Sequence, residues 1–461
     1  MMNLSAPSMK YSWSKTVFPI AALFSFRMLG LFLLIPVFTL YAADFKGATP
    51  ALIGIALGAY GLSQGFLQMP FGLLSDKWGR KPIITLGLIL FIIGSFLGAF
   101  TDSIYGIILA RTLQGTGAVG SVLIALLADL TPDESRTKAM AVIGMTIGLS
   151  FSLAMVISPA LSKSYGLAGI FYLTAFLAIL GLLLLHIVIP NPDQERFHGD
   201  SETNPALLRS VLSNTHLLHL NFGIFCQHFI LTSTFFVLPL ILNYHIEQKD
   251  LSQPWSFYLV LMIVAFIAMI PFIIYGEKKH KTKLVFLSSV LCTALAQGIL
   301  IFAGKHWYSL CALMLLYFIG FNILEALLPS QISKQANPNS KGTAMGVYST
   351  AQFLGIFAGG TSAGFLYAWQ QDKSIFIANT LLSLLWLFSS LPMKMKSTTT
   401  LILSWPNQER ASEDLVSKLL NLAGVKEVVF AEEESVIYIK INKELYHVGS
   451  AESLIKEYAI N

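Results

Sequence analysis

Apolar residues in this chain gather into runs of about twenty or more, separated by short polar gaps. The runs fall near 17–42, 51–75, 82–101, 104–129, 138–162, 168–189, 216–243, 255–276, 284–303, 307–332, 342–368 and 374–391. A helix needs roughly 20 apolar residues to cross the hydrocarbon core of a bilayer, so the pattern predicts twelve membrane helices. The first run is too long for the apolar core of a signal peptide, and no small-residue cleavage site follows it, so it reads as a retained span. An even number of spans places both chain ends on one side. After Lys396 the pattern changes. Residues 400–404 alternate as a strand, and 407–422 read as a helix with Leu415, Leu419 and Leu422 on one side. Residues 425–431 and 436–441 read as two strands joined by Glu432-Glu433-Glu434, and 450–458 as a second helix. The order β-α-β-β-α fits a ferredoxin-like module whose fourth strand is missing or very short.

Composition agrees with a chain that lives mostly in lipid. Hydrophobic residues make up 55% and charged residues 12%, against roughly a quarter charged in soluble domains; mean hydropathy is +0.67. The net charge of +5 is a matter of topology. One set of alternate loops holds Lys10, Lys15, Lys77, Arg80, Lys81, Arg136, Lys138, Arg196, Arg209, Lys278, Lys279, Lys281, Lys283, Lys334, Lys341, Lys394 and Lys396. The other set holds Lys46, Lys163, Lys249, Lys305 and Lys373. Basic loops stay cytoplasmic, which puts both termini inside and argues against nucleic acid as a partner. Cys226, Cys292 and Cys311 lie in apolar runs without metal-ligand spacing, so neither a disulfide framework nor a zinc site is expected.

The two halves repeat at an offset of about 200 residues. Pro70-Phe71, Asp76-Lys77 and Arg80 align with Pro271-Phe272, Glu277-Lys278 and Lys281. Ala125-Leu126-Leu127 aligns with Ala326-Leu327-Leu328, and Ser135-Arg136 with Ala139-Met140 aligns with Ser340-Lys341 and Ala344-Met345. With six spans each, the halves share one orientation, and a central site between them is the arrangement of alternating-access carriers. The expected organisation is a six-helix bundle over 1–190, a polar linker over 191–215 containing Asp193, Glu195, His198, Asp200 and Glu202, a second bundle over 216–396 and a cytoplasmic module over 397–461.

The loop Gly72-Leu73-Leu74-Ser75-Asp76-Lys77-Trp78-Gly79-Arg80-Lys81-Pro82, between the second and third runs, fits G-x-L-x-D-x-x-G-R-[RK]. It resembles the loop between helices 2 and 3 of the major facilitator superfamily. Further phrases extend the likeness to the drug/proton antiporter type and to carriers with an appended module. They include Phe26-Arg27-Met28-Leu29-Gly30, Arg136-Thr137-Lys138-Ala139-Met140-Ala141, Glu325-Ala326-Leu327-Leu328-Pro329-Ser330 and 341–349. The resemblance implies an all-α, twelve-helix fold of 6+6 repeats in a bacterial inner membrane, with a small α+β ferredoxin-like tail. It implies export of amphiphilic or drug-like small molecules by a monomeric transport unit driven by the proton motive force, with no cofactor. One departure concerns the fifth helix, where the type usually has a Gly-Pro pair; here Ser158-Pro159 is followed by Ala160, with Gly144 and Gly148 kept. The turn at 424–428 resembles that of heavy-metal-associated domains, whose first loop carries Cys-x-x-Cys. Here that loop is Trp405-Pro406-Asn407-Gln408, so metal binding is not expected and a regulatory or self-associating role is.

Two groups of residues carry the expected chemistry. Gly72 suits close helix approach, Gly79 a tight turn, and Pro82 a helix start. Asp76, Arg80 and Asp129 are expected to form a charged cluster at the membrane face, with Lys81 in the same motif. The resemblance sets Asp76 against the N-terminus of the eleventh helix near Gly342 as a conformational latch, where a helix dipole favours a carboxylate by roughly 0.3–1 kcal/mol. The bland alternative is a topology signal made of positive charges alone. Charges at membrane depth are costly and point to function. Arg27 and its repeat partner His228 lie near the midplane, Arg111 sits in the fourth run, and Glu325 is the acid in the apolar interior of the second half. These four are the proton-coupling candidates, the role of Arg111 being implied by the resemblance. Structural roles for them remain open, with Asn322 and Pro329 the neighbours of Glu325. Gly115, Gly117, Gly144, Gly148 and Pro159 are the expected helix-packing positions. No phosphate loop or nucleophile constellation appears, which argues against a pump driven by nucleotide hydrolysis or an enzyme. The rivals are a proton symporter importing a nutrient and a membrane sensor signalling through its tail.

Overall fold

The computed structural model describes residues 12–131, 133–192, 202–337, 340–393, 395, 398–405, 413–431, 436–442 and 445–460. Lys10, Arg196, Lys394, Lys396, most of the acidic linker, the 432–434 turn and 406–408 lie outside them. The membrane part runs through α1 (Val17–Phe32), α2 (Phe38–Ala42), α3 (Pro50–Trp78), α4 (Arg80–Phe100), α5 (Ile104–Thr116), α6 (Gly120–Asp129) and α7 (Asp133–Ile187). A short α8 (Leu208–Leu212) follows, then α9 (Thr215–Glu247), α10 (Pro254–Lys278), α11 (Thr282–Ala303), α12 (Trp307–Gln335) and α13 (Lys341–Ser390). Among the described residues, nine helices are long and apolar enough to cross a membrane. Two of them, α7 and α13, are double spans that turn at Gly166 and at Gln370–Gln371. With the shorter first span this gives the twelve crossings that the apolar runs predict.

Two spans expected to be continuous are broken. The first unwinds over 33–37, between α1 and α2, and the fourth over 117–119, between α5 and α6. Irregular backbone survives at membrane depth only where protein satisfies its polar groups. In the first break the Ser158 hydroxyl donates to the Leu33 carbonyl. The serine that replaces the usual glycine before Pro159 therefore closes a gap in another helix. The outer faces carry Phe100, Ile187, Phe302, Leu381 and Phe388, all more than half exposed, which only a lipid surround makes tolerable.

Glycines seat α13 between the halves. A Cβ at Gly54 of α3 would collide with the Gly360 carbonyl, and one at Gly364 with the Pro50 carbonyl. On its other side, Gly355 and Gly359 bring α13 against the Phe225 and Phe229 carbonyls of α9. Four-residue glycine spacing lets backbones approach this closely in lipid, where packing drives association.

The tail is a three-stranded antiparallel sheet, β1 (Thr398–Ser404), β2 (Val425–Ala431) and β3 (Val436–Asn442), in the order β1-β3-β2. Helices α14 (Glu413–Asn421) and α15 (Ser450–Ile460) cover it with Leu415, Leu419 and Ile455 against Ile437, Ile439 and Ile441. That order is a ferredoxin-like sheet without its fourth strand. The tail rests on the bundle: β1 lies against α7 and α12, and buried Lys440 donates to the Ala336 carbonyl beyond the end of α12 (2.8 Å). A bond of this kind is worth about 1.5–3 kcal/mol, too little to hold twelve helices together. Truncation after Lys396 is therefore expected to leave an inserted carrier with residual transport. An inserted but wholly inactive truncation would instead make the tail part of the transport machinery.

Candidate functional site

The loop-side site begins where α3 ends. Gly79 adopts φ +91°, a conformation open to glycine, and so turns the chain sharply enough for α4 to begin at Arg80. Among the described residues, the buried Arg80 guanidinium then meets Ser75, Asp76, Asp129 and Glu202. Nη1 donates to the Ser75 hydroxyl (2.8 Å) and to Asp76, Nε donates to Asp129 (3.1 Å), and Nη2 donates to Glu202 (2.9 Å). The expected cluster of Asp76, Arg80 and Asp129 is present. Glu202, a linker residue, is its unforeseen fourth member. Burial above all, with the Asp76 and Asp129 carboxylates adding to it against the pull of Arg80, pushes the Glu202 carboxyl up to about 8.

The expectation for Asp76 and Gly342 is corrected in its partner. Among the described residues Asp76 is held by Arg80, whereas the first turn of α13 receives the linker. A Cβ at Gly342 would collide with the Glu202 backbone. The Asn204 amide donates to the Thr343 hydroxyl (2.9 Å), which donates in return to the Asn204 carbonyl (3.4 Å). Gly72 is less tight than expected, since a Cβ there would lie 3.6 Å from Ser121 Oγ, an ordinary contact. Lys81 points elsewhere: its ammonium donates to the Ile189 carbonyl just beyond α7 (2.6 Å). In the second half Lys283 does the same to the Leu391 carbonyl beyond α13 (2.7 Å). Both lysines close helix C-termini, where cations are favoured.

At membrane depth the first half is organised around the break in the fourth span. Arg27 Nε and Nη2 both donate to the Gly117 carbonyl (3.2 and 2.8 Å), and Nη2 also donates to Gln64. The cation thus satisfies the backbone that the broken helix frees. Arg27 Nη1 is buried without a hydrogen-bond partner and faces Gly120. Arg111 is separate from this group. It donates to Gln114 (2.9 Å) and lies over the Tyr60 ring (4.8 Å), and Gln114 continues to Ser95 (2.9 Å) and Ser95 to Thr174 (3.1 Å). Gly115 and Gly117 pack as expected, against Tyr60 and Gly87. Gly144 and Gly148 do not, because a Cβ at either would meet nothing within 4 Å.

The second half holds the acid. Gln227 donates to the Glu325 carboxylate (2.8 Å), and His228 Nε2 lies 4.0 Å from the same oxygen. Gln352 of α13 donates to His228 Nε2 (2.8 Å). The partner of Glu325 is therefore Gln227 on α9, not Asn322 one turn away on its own helix. An aromatic wall stands beside this group: Phe321 is 6.2 Å from the His228 ring, and Phe151 from the first half stacks on Phe321 at 6.0 Å. The same Phe151 ring meets Phe235 and Phe318 edge-on or tilted. Among the described residues neither Arg27 nor Arg111 pairs with a carboxylate. The four depth candidates thus divide into two arginines in one half and an acid–imidazole pair in the other. Sequence reasoning missed Gln64, Gln227, Gln352 and Glu202; their signal was polarity inside apolar helices and the one linker acid nearest α8.

Comparison with known proteins places this geometry. The family model described as Major Facilitator Superfamily matches residues 20–360 and 277–409. The Inner membrane transport protein YajR of Escherichia coli is 42% identical over 443 residues, covering 95% of this chain and 96% of that protein. The Quinolone resistance protein NorA of Staphylococcus aureus is 26% identical over 360 residues, covering 76% and 89%. Among solved structures, the nucleoside transporter NupG superposes with a TM-score of 0.63 at 14% identity, covering 81% of this chain and 99% of its own. The human organic anion transporter MFSD10 (TETRAN) superposes at 0.59 and 19% identity, covering 82% and 99%.

Proposed function

The chain belongs to the Major Facilitator Superfamily, and we propose that it is a proton-coupled carrier exporting amphiphilic or drug-like small molecules by alternating access. It is a multi-pass membrane transporter and not an enzyme; the cargo, the direction and the coupling ion are the proposal. The observation that carries it is the Glu325 group. A carboxylate at membrane depth, held by the Gln227 amide and 4.0 Å from an imidazole, is a place where a proton is taken and given up. It sits beside an aromatic wall to which both halves contribute, so cargo lodged there would touch the proton site and both moving bodies. The drug-resistance name of the NorA relative supports a drug-like cargo. The basic loop end, with both termini, is taken as cytoplasmic.

The test is dye-driven proton movement. Inverted membrane vesicles are energised to an acid interior, and a panel of fluorescent amphiphilic dyes and quinolones is added outside. An exporter moves these compounds into the vesicles and lets protons out in the same step. Import-direction movement would favour a symporter, and binding without any proton flux would favour a sensor.

A further inference from the structure

We propose that residues 202–204 form a proton-releasable strap between the two halves, with Glu202 as a positioning residue of the transport cycle. The strap is seated while the Glu202 carboxyl holds a proton and lets go when that proton leaves on the loop side. This rests on the carrier reading above.

The geometry makes the strap a bridge. Its side chain is bound to the first half, through Arg80 Nη2 (2.9 Å). Its backbone is bound to the second half, packed on Gly342 and joined by the paired Asn204 and Thr343 bonds. Thr203 fills the next small position, against Gly346. When the halves tilt apart at this end, one of these two attachments has to break.

Charge decides which, and when. Among the described residues, the charged groups facing Glu202 are Arg80 at the start of α4, Asp76 from the end of α3 and Asp129 from the end of α6. From the second half, Gly342 packs on the Glu202 backbone. Among the described residues, three carboxylates converge on one guanidinium in a buried site, and their negative charges repel one another. A proton on one carboxyl removes one of them, and the neutral acid still accepts from Arg80 through its carbonyl oxygen. Glu202 is the group so placed: it is 7% exposed, and its carboxyl is lifted from 4.5 to about 8. The sign follows from linkage. The seated value lies above the free value, so seating is favoured by acid and loses its advantage as pH rises through about 8. Proton release toward the loop side therefore loosens the bridge.

The test needs no substrate. Spin labels on Lys77→Cys and Ala206→Cys, both exposed positions, are placed in full-length protein whose three native cysteines are replaced, in lipid nanodiscs. Pulsed electron-spin distances are recorded from about pH 6 to about pH 9.5, to either side of the Glu202 transition. A released, longer-distance population should grow by up to ~10-fold per pH unit as pH rises toward about 8 and level off above it. Glu202→Gln, which cannot ionise, should stay seated throughout. Thr343→Val, which severs the bonds to Asn204 and leaves the carboxyl in place, should raise the released population at every pH. A wild-type distribution that does not move, or a Glu202→Gln protein that titrates like wild type, overturns the strap. Strap titration in a protein without dye-driven proton flux would leave the strap standing and sink the carrier reading.

Discussion

Arg80→Met is expected to abolish dye-driven proton flux and to lower the thermal stability of the purified protein. The methionine fills much of the same space but takes away the guanidinium that Asp76, Asp129 and Glu202 share. Removing one partner of a buried ion pair costs about 3–5 kcal/mol, because the other charge stays buried without it. The loss should depend on pH in a definite direction. Without the guanidinium, ionised carboxylates repel and each proton taken up relieves the repulsion, so the variant should be least stable in alkali and recover toward acid. Differential scanning across pH values checks this; an Arg80→Met protein as stable as wild type throughout would reduce the cluster to a topology signal. Asp76→Asn provides the milder comparison. It keeps shape and part of the hydrogen bonding, and it should cut transport sharply while insertion and yield stay near normal. Near-normal transport in that variant would count against the latch.

Much of this fold is legible in the sequence because lipid leaves few choices. Runs of twenty apolar residues become spanning helices, and the rare charges inside them stand out, so Arg27, Arg111, His228 and Glu325 are found by inspection. What the chain does with them is set by residues far away. The fourth span keeps an apolar helical pattern through Ala118 and Val119, and only the arrival of Arg27, ninety positions earlier, supplies the donors that a broken helix requires. Glutamines pass unnoticed because a neutral amide in a helix has no fixed meaning until the neighbouring helix is known. Gln64, Gln227 and Gln352 turn out to be the partners of Arg27, Glu325 and His228. Lys81 sits within the loop motif, yet its ammonium serves the end of α7, as that of Lys283 serves the end of α13. Gly144 and Gly148 look like packing positions by composition, and open space beside them gives them no such role here. Glu202 belongs to a polar stretch in which a sequence offers no reason to prefer one acid over another. Its selection comes from the Gly342 gap, which admits the linker backbone and so aims one side chain at Arg80.

The largest effect on coupling is expected from Glu325→Gln. Glutamine keeps the volume of the side chain, and its carbonyl oxygen can still accept from the Gln227 amide as the carboxylate does now (2.8 Å). What it loses is the exchangeable proton and the charge 4.0 Å from His228. Proton-driven transport should fall on the order of a hundredfold, the lower end of what a proton-transferring side chain contributes. Binding of dye, and exchange of labelled for unlabelled dye without a proton gradient, should persist, because neither requires the site to titrate. Glu325→Ala is the wrong instrument, since it opens a cavity and leaves Gln227 without its acceptor, mixing packing with protonation. Measured at two pH values, the Gln variant should show a flattened pH dependence of its residual flux. If proton flux and pH profile are both unchanged, Glu325 holds α9 to α12 through Gln227 and nothing more. Coupling then passes to His228, whose imidazole would still have Gln352 as its partner (2.8 Å), or to the loop-side cluster. His228→Gln tests the first of these: it removes the ring that titrates but keeps an amide within reach of Gln352, so a flux lost in His228→Gln and retained in Glu325→Gln would move the proton site from the acid to the imidazole.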